Sequence, residues 1–152
     1  MLQQLSQSQR DLITLWYLVQ HSLSSFYKLI DYYGSAERAL AARHDWAILN
    51  LHASHLKRVQ EFEQPSQQAY FEKLLDCIQS KSDFLVSFED AAYPQQFLTY
   101  SDKPPLIFGQ GQVDVLNEAQ IAIVGSRKPS PHGRQVAYDF AYYLSEQGFY
   151  IN

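Results

Sequence analysis

Residues 120–133 read Gln-Ile-Ala-Ile-Val-Gly-Ser-Arg-Lys-Pro-Ser-Pro-His-Gly. Ile121 to Val124 is a short, wholly apolar run rich in β-branched side chains, the pattern of a strand buried on both faces of a parallel sheet. It ends at Gly125, where the backbone can turn sharply or let a ligand approach. Ser126, Arg127 and Lys128 add a hydroxyl and two cations. Ser130 is placed as an N-cap and Pro131 as a first helical residue. Strand, polar turn and helix start together make an anion site, because the turn and the first helical turn present N–H groups without intrahelical partners.

Downstream, a helix is expected from Pro131 to about Gln147. Val136, Phe140, Tyr143 and Leu144 lie on one face, and Ala137 and Ala141 let it sit near a sheet. Gly148 ends the helix and Phe149-Tyr150-Ile151 begins a second strand. Strand, helix, strand is the opening of a right-handed parallel crossover. One crossover cannot build and cover a doubly wound sheet, so the chain is read as the N-terminal portion of a longer protein.

Upstream, Phe84–Phe88 and Leu106–Phe108 read as short strands. Between them lie a turn at Glu89–Pro94, a small apolar knot at Phe97 and Leu98, and a rigid bend at Asp102-Lys103-Pro104-Pro105. Gly109 and Gly111 end the second strand. Lys81-Ser82-Asp83 reads as a linker. Everything before it is helical by periodicity. The first helix runs from Ser8 to Gln20. The second, capped by Ser24 or Ser25, buries Phe26, Leu29, Ile30 and Tyr33 and ends at Gly34. Ser35 caps a third through Ala42, and Asp45 caps a brief turn carrying Trp46. Ser54–Phe62 follows, then a final helix from Pro65 or Ser66 through Ile78. The expected architecture is α followed by α/β, with a helical domain over 1–80 and the start of a parallel sheet over 81–152.

Composition narrows the function. The net charge of −4 argues against a basic nucleic-acid coat but leaves room for a few well-placed cations. Neither half is a basic tail, with 7 Lys+Arg against 8 Asp+Glu in 1–80 and 5 against 8 in 81–152. The single Cys77 excludes an internal disulfide and a cysteine metal cluster. No run is long enough to span a membrane and no secretory signal opens the chain, so a cytoplasmic location is expected. His21, His44, His52 and His55 form no convincing metal spacing. No nucleophile–base pair and no catalytic carboxylate pair stands out, so neither catalysis nor a cofactor is expected.

The dinucleotide fingerprint wants three closely spaced glycines, whereas Gly125 is followed by none until Gly133. Pro129 and Pro131 also remove two N–H donors from the loop. The Gly-Lys-Ser/Thr ending of a phosphate-loop NTPase is absent. Arg127 is the residue to single out, because its planar fork binds phosphate bidentately and it follows the carboxyl end of a strand. Lys128 is a more generic cation. Ser126 either contacts a ligand or shapes the turn, and His132 either meets a phosphate or is a solvated first-turn residue.

Several motifs in order carry a resemblance. They are Tyr93-Pro94-x-x-Phe97-Leu98, Asp102-Lys103-Pro104-Pro105-Leu106-Ile107-Phe108-x-x-Gly111, Ile121-Ala122-Ile123-Val124-Gly125-Ser126-Arg127, and Gly133. Together they resemble the DNA-processing protein A (DprA, or Smf) family. Tyr32-Tyr33-Gly34-Ser35-Ala36-Glu37-Arg38-Ala39-Leu40 is similar to that family's N-terminal sterile-alpha-motif-like domain. The resemblance implies an extended Rossmann-like domain that binds single-stranded DNA without strong sequence preference and loads the RecA recombinase onto it in natural transformation. It implies a homodimer whose interface lies outside this chain. By position, Gly125 and Ser126 offer backbone or hydroxyl contacts and Arg127 holds a backbone phosphate, with Lys128 and His132 beside them. The short helices also resemble helix–hairpin–helix folds. The matching turn, His21-Ser22-Leu23-Ser24, lacks the glycines of a DNA-reading hairpin, which favours packing or partner docking for the helical part. The competing reading is a nucleotide-processing enzyme related to the lysine-decarboxylase-like phosphoribohydrolases.

Overall fold

A computed structural model of the chain describes residue 2 and residues 4–152; Met1 and Gln3, part of the polar start, lie outside the described residues. The chain divides into two compact units, Met1–Gln112 and Val113–Asn152.

The first unit opens with α1 (Gln7–Leu18) and α2 (Leu23–Tyr33). Ser6 caps α1 in a reciprocal capping box with Gln9. Leu12, Ile13, Leu15, Leu18 and Val19 are all buried, a stripe wide enough to make α1 the centre of the bundle. Gln20 and His21 then both adopt left-handed backbone, with φ of 52° and 61°. That double turn ends α1 earlier than its periodicity suggests and brings Ser22, rather than Ser24 or Ser25, to the cap of α2, where its Oγ accepts from the Ser25 N–H. Gly34, at φ 83°, closes α2 by returning its N–H to Ile30, as a glycine after a helix should.

Ser35 caps α3 (Ala36–Ala41), and a 3₁₀ segment, Arg43–Leu49, follows. Asp45 does not cap that segment, which has no side-chain cap. Trp46 holds it instead. Its ring is fully buried and its Nε1–H donates to the Ala39 carbonyl at 2.8 Å, satisfying an oxygen that α3 leaves open at its end. α4 (Ala53–Phe62) is capped by His52, and α5 (Pro65–Lys81) starts on Pro65. Tyr17, Phe62 and Phe71 form an aromatic cluster with centroids 4.9–6.0 Å apart between α1, α4 and α5.

Composition changes after Ser80, but the compact units divide thirty residues later because the next two strands join the helical core. β1 (Phe84–Ser87) pairs antiparallel with β2 (Leu106–Gly109), matching Phe84 with Gly109 and Ser87 with Leu106. Leu85 and Leu106 belong to the same apolar cluster as α1 and α2, and Phe88 packs edge-on against Phe26 and Tyr27. Lys81-Ser82-Asp83 is therefore not a free linker: Lys81 ends α5, Ser82 is buried and the Asp83 N–H bonds the Gly109 carbonyl. The rigid bend is tied down by two phenols, with Tyr27 donating to the Lys103 carbonyl at 3.0 Å and Tyr93 to the Pro104 carbonyl at 2.6 Å.

The second unit holds a 3₁₀ turn (Val113–Asn117), β3 (Gln120–Ile121), α6 (Pro131–Glu146) and β4 (Tyr150–Ile151). β3 and β4 run parallel, Gln120 opposite Tyr150 and Ile121 opposite Ile151, so strand, helix and strand form a parallel crossover. The chain is thus helix-rich with two small sheets, in keeping with an α plus α/β class.

Two outcomes follow from unit one. Trp46→Ala should cost about 3–5 kcal/mol in urea unfolding, whereas Trp46→Phe, which keeps most packing but strands the Ala39 oxygen, should cost roughly 1–3 kcal/mol. Burial pushes both Tyr27 and Tyr93 above the ordinary phenol range, with Tyr93 and Asp31 adding to the shift at Tyr27. A raised folded-state value favours the neutral form, so this stability is complete below the unfolded phenol value of about 10 and declines as pH rises beyond it. Thermal melts at increasing alkaline pH should show the decline, and it should be shallower in Tyr27→Phe.

Candidate nucleic-acid interface

The stretch after β3 is positioned by backbone bonds. The Tyr150 N–H bonds Ala119 at 2.9 Å, the Asn152 N–H bonds Ile121 at 3.0 Å, and the Ile123 N–H bonds Asn152 at 2.8 Å. The parallel ladder therefore reaches Ile123, and the chain leaves the sheet two residues before Gly125. The apolar run is not buried on both faces, however. Ile121 and Ile123 are half-buried, Ala122 and Val124 are exposed, and Val124 reaches 90%. In this unit β3 has one strand, β4, beside it, so alternation replaces full burial.

The helix presents a different face from the one its periodicity suggests. Ala137, Ala141 and Leu144, four and three apart, are the half-buried line of α6, while Val136, Phe140 and Tyr143 are exposed. Small residues let the helix backbone lie close to β4.

Between Ile123 and Pro131 the residues are all exposed, including Gly125, Ser126, Arg127 and Lys128. Gly125 is not in the left-handed region, and a Cβ built there would meet no atom within 4 Å. The turn itself therefore does not require a glycine; only close approach by something else would. Ser126 does shape the turn, its Oγ accepting from the Lys128 N–H at 3.2 Å, which leaves its own O–H free to donate. Ser130 caps α6 by accepting from the Gly133 N–H at 3.1 Å, with Pro131 in the first helical turn. His132 is exposed in the same turn.

The electrostatics are one-sided. No acidic residue occupies the first turn of α6, where a carboxylate would suit the positive end of the helix dipole. Arg127 and Lys128 take part in no ion pair among the described residues. Arg134, one turn into α6 and also exposed, adds a third cation that the motif spacing did not single out. Its signal is in the sequence all the same: from Ala119 to Tyr138 there is no Asp or Glu, and Arg127, Lys128, His132 and Arg134 all fall in that stretch. Three cations around a helix N-terminus with no counter-charge make a locally positive surface on a chain of net negative charge. Such a surface is chemically suited to an anion.

Among the described residues, no cluster of His, Cys, Asp or Glu could hold a metal ion, and no helix is long and apolar enough to cross a membrane.

Removing the Ser130 cap tests how the loop is held. Ser130→Ala should destabilise the start of α6 by ~1 kcal/mol, read as faster amide exchange at Gly133 and Arg134 with little change near Leu144.

Residues 84–152 match the family described as DNA recombination-mediator protein A, a region that takes in β1, β2 and the whole second unit. The chain is also 30% identical over 80 residues to Protein Smf of Escherichia coli (strain K12), a match covering 53% of this chain and 21% of that protein. It thus spans about a fifth of the length of that relative. The ordered motifs from Tyr93 to Gly133 fall largely within the region matched, and residues 84–152 are similar to the DNA recombination-mediator protein A (DprA/Smf) family.

Proposed function

We propose that this chain is part of a DNA-processing protein A-like recombination mediator that binds single-stranded DNA through its phosphates and helps load the RecA recombinase, without catalysing a reaction itself. The family match over residues 84–152 supports the class of process, and the resemblance supplies the strand and the recombinase as partners. The observation that carries the binding role is the uncompensated cation cluster at the end of β3. In this reading Arg127 grips one phosphate bidentately. Lys128, Arg134 and His132 add charge or a hydrogen bond along the backbone, and the bare approach at Gly125 with the Ser126 hydroxyl lets the strand sit close.

The reading extends to architecture. The helical segment is a sterile-alpha-motif-like domain, 81–152 begins a Rossmann-like sheet, and dimerisation belongs to surfaces outside these residues. The alternative, a nucleotide-processing enzyme of the phosphoribohydrolase kind, is not favoured, because the family matched is one of recombination mediators.

Affinity built on phosphate binding falls steeply with salt. In fluorescence anisotropy with labelled oligo-dT, Arg127→Ala should bind several-fold more weakly. Its log–log salt slope should flatten by about 0.7 for each single-strand phosphate that is no longer neutralised. Arg127→Lys should keep the slope while losing affinity, since the charge stays and the fork is gone. Unchanged affinity and slope in Arg127→Ala at matched salt would remove this arginine from the interface.

A further inference from the structure

We infer that α6 carries a base-stacking track for single-stranded DNA, formed by the rings of Tyr138 and Tyr142 running on from Arg134. The inference rests on the phosphate reading of the loop before α6 and adds to it what holds the bases. Arg134, Tyr138 and Tyr142 lie four residues apart on a helix of sixteen. Four residues advance about 6 Å along the axis and turn by only about 40°, so the three side chains form one line leading away from the cations. Arg134 belongs to both features, as a cation of the cluster and as the head of the line.

The two rings have no role in packing. Tyr138 is 66% exposed and Tyr142 61%. Neither makes a ring contact or a side-chain hydrogen bond among the described residues, whereas the rings of Tyr17 and Tyr27 pack on other aromatics. α6 packs through the half-buried line of Ala137, Ala141 and Leu144, and both tyrosines stand off it on the side that Arg134 occupies. The line on the other side, His132, Val136 and Phe140, has no arginine or lysine at its head.

Charge sets the length of the track. No Asp or Glu lies between Ala119 and Tyr138, and the Asp139 carboxylate beside it accepts from the Gln135 Nε2 at 2.8 Å. The next residue in the line after Tyr142 is Glu146, whose charge repels a phosphate. The track therefore ends after two rings.

A strand whose phosphates are held by Arg127, Lys128 and Arg134 carries unpaired bases. A phenol ring offers a flat π face on which any base can stack, so the contact is indifferent to sequence. The bases of a duplex are already stacked and gain nothing from the rings. Phosphate contacts alone cannot make that distinction, since both forms of DNA present phosphates. The tyrosines thus supply the preference for a single strand that the cations lack.

The test is fluorescence anisotropy of the 152-residue chain with labelled oligo-dT, an abasic oligomer of the same length and a duplex of that length. Tyr138→Ala and Tyr142→Ala are exposed changes to a better helix former. Each should weaken oligo-dT binding about five- to tenfold, the low end of what one stacked base contributes. The log–log salt slope should stay as in the unaltered chain, because no phosphate contact is lost. Tyr138→Phe should keep the affinity, and Tyr138→Leu, apolar but without a π face, should lose it. The abasic oligomer and the duplex should bind the unaltered chain and the tyrosine variants alike. Tyrosine variants that bind oligo-dT normally, while Arg127→Ala binds weakly with a flatter slope, would overturn the track and leave the phosphate reading standing. Equal losses on oligo-dT and on the abasic oligomer would do the same. No measurable binding of oligo-dT, or an unchanged affinity and slope in Arg127→Ala, would overturn both.

Discussion

Three backbone hydrogen bonds, from Tyr150, Asn152 and Ile123, decide where the cations of the second unit stand. They carry the parallel ladder as far as Ile123 and no farther, so the chain must leave the sheet just before Gly125. Because α6 begins at Pro131, the whole intervening loop is confined to the carboxyl end of β3. Ser126 and Ser130 then close the loop on itself at both ends. Each link is local, and none uses the side chains of Arg127 or Lys128. The scaffold is therefore complete without its cations, which remain available for a ligand.

The first unit obeys a different constraint. Its core is a continuous apolar cluster running from α1 through α5 into β1 and β2, with Trp46 and Phe26 fully buried. Several of the polar groups at that core are satisfied internally, as the Trp46 indole on Ala39 and the two phenols on the 103–105 bend illustrate. The bend stays rigid because two prolines limit its backbone while the phenols hold its carbonyls. In this way a segment matched by the family, 84–112, is welded to helices that lie before the matched region.

Much of this is legible in the sequence, where local chemistry and long-range packing agree. Gly34, Ser35, Ser130 and Pro131 occupy the caps and turns that their residue types favour, because those preferences are set within four residues. The cap of α2 falls two or three residues earlier than expected, because no sequence rule anticipates two consecutive non-glycine residues in left-handed backbone at Gln20 and His21. The same limit applies to the buried face of α6. Periodicity identifies apolar stripes, but only packing chooses between the Phe140–Tyr143 line and the smaller Ala137–Ala141 line, and close approach favours the smaller. The burial expected of Ile121 to Val124 assumes cover on both faces. Arg134 escapes motif spacing altogether, because its meaning lies in the absence of acids on either side.

Gly125 separates two kinds of selection. No neighbouring atom and no unusual backbone angle in this chain demands a glycine there. Folding free energy is therefore nearly blind to what occupies the position, and a library of variants sorted by heat or protease resistance would accept alanine or serine as readily. In the proposed DNA-binding role, a screen that reads the bound state would reject them.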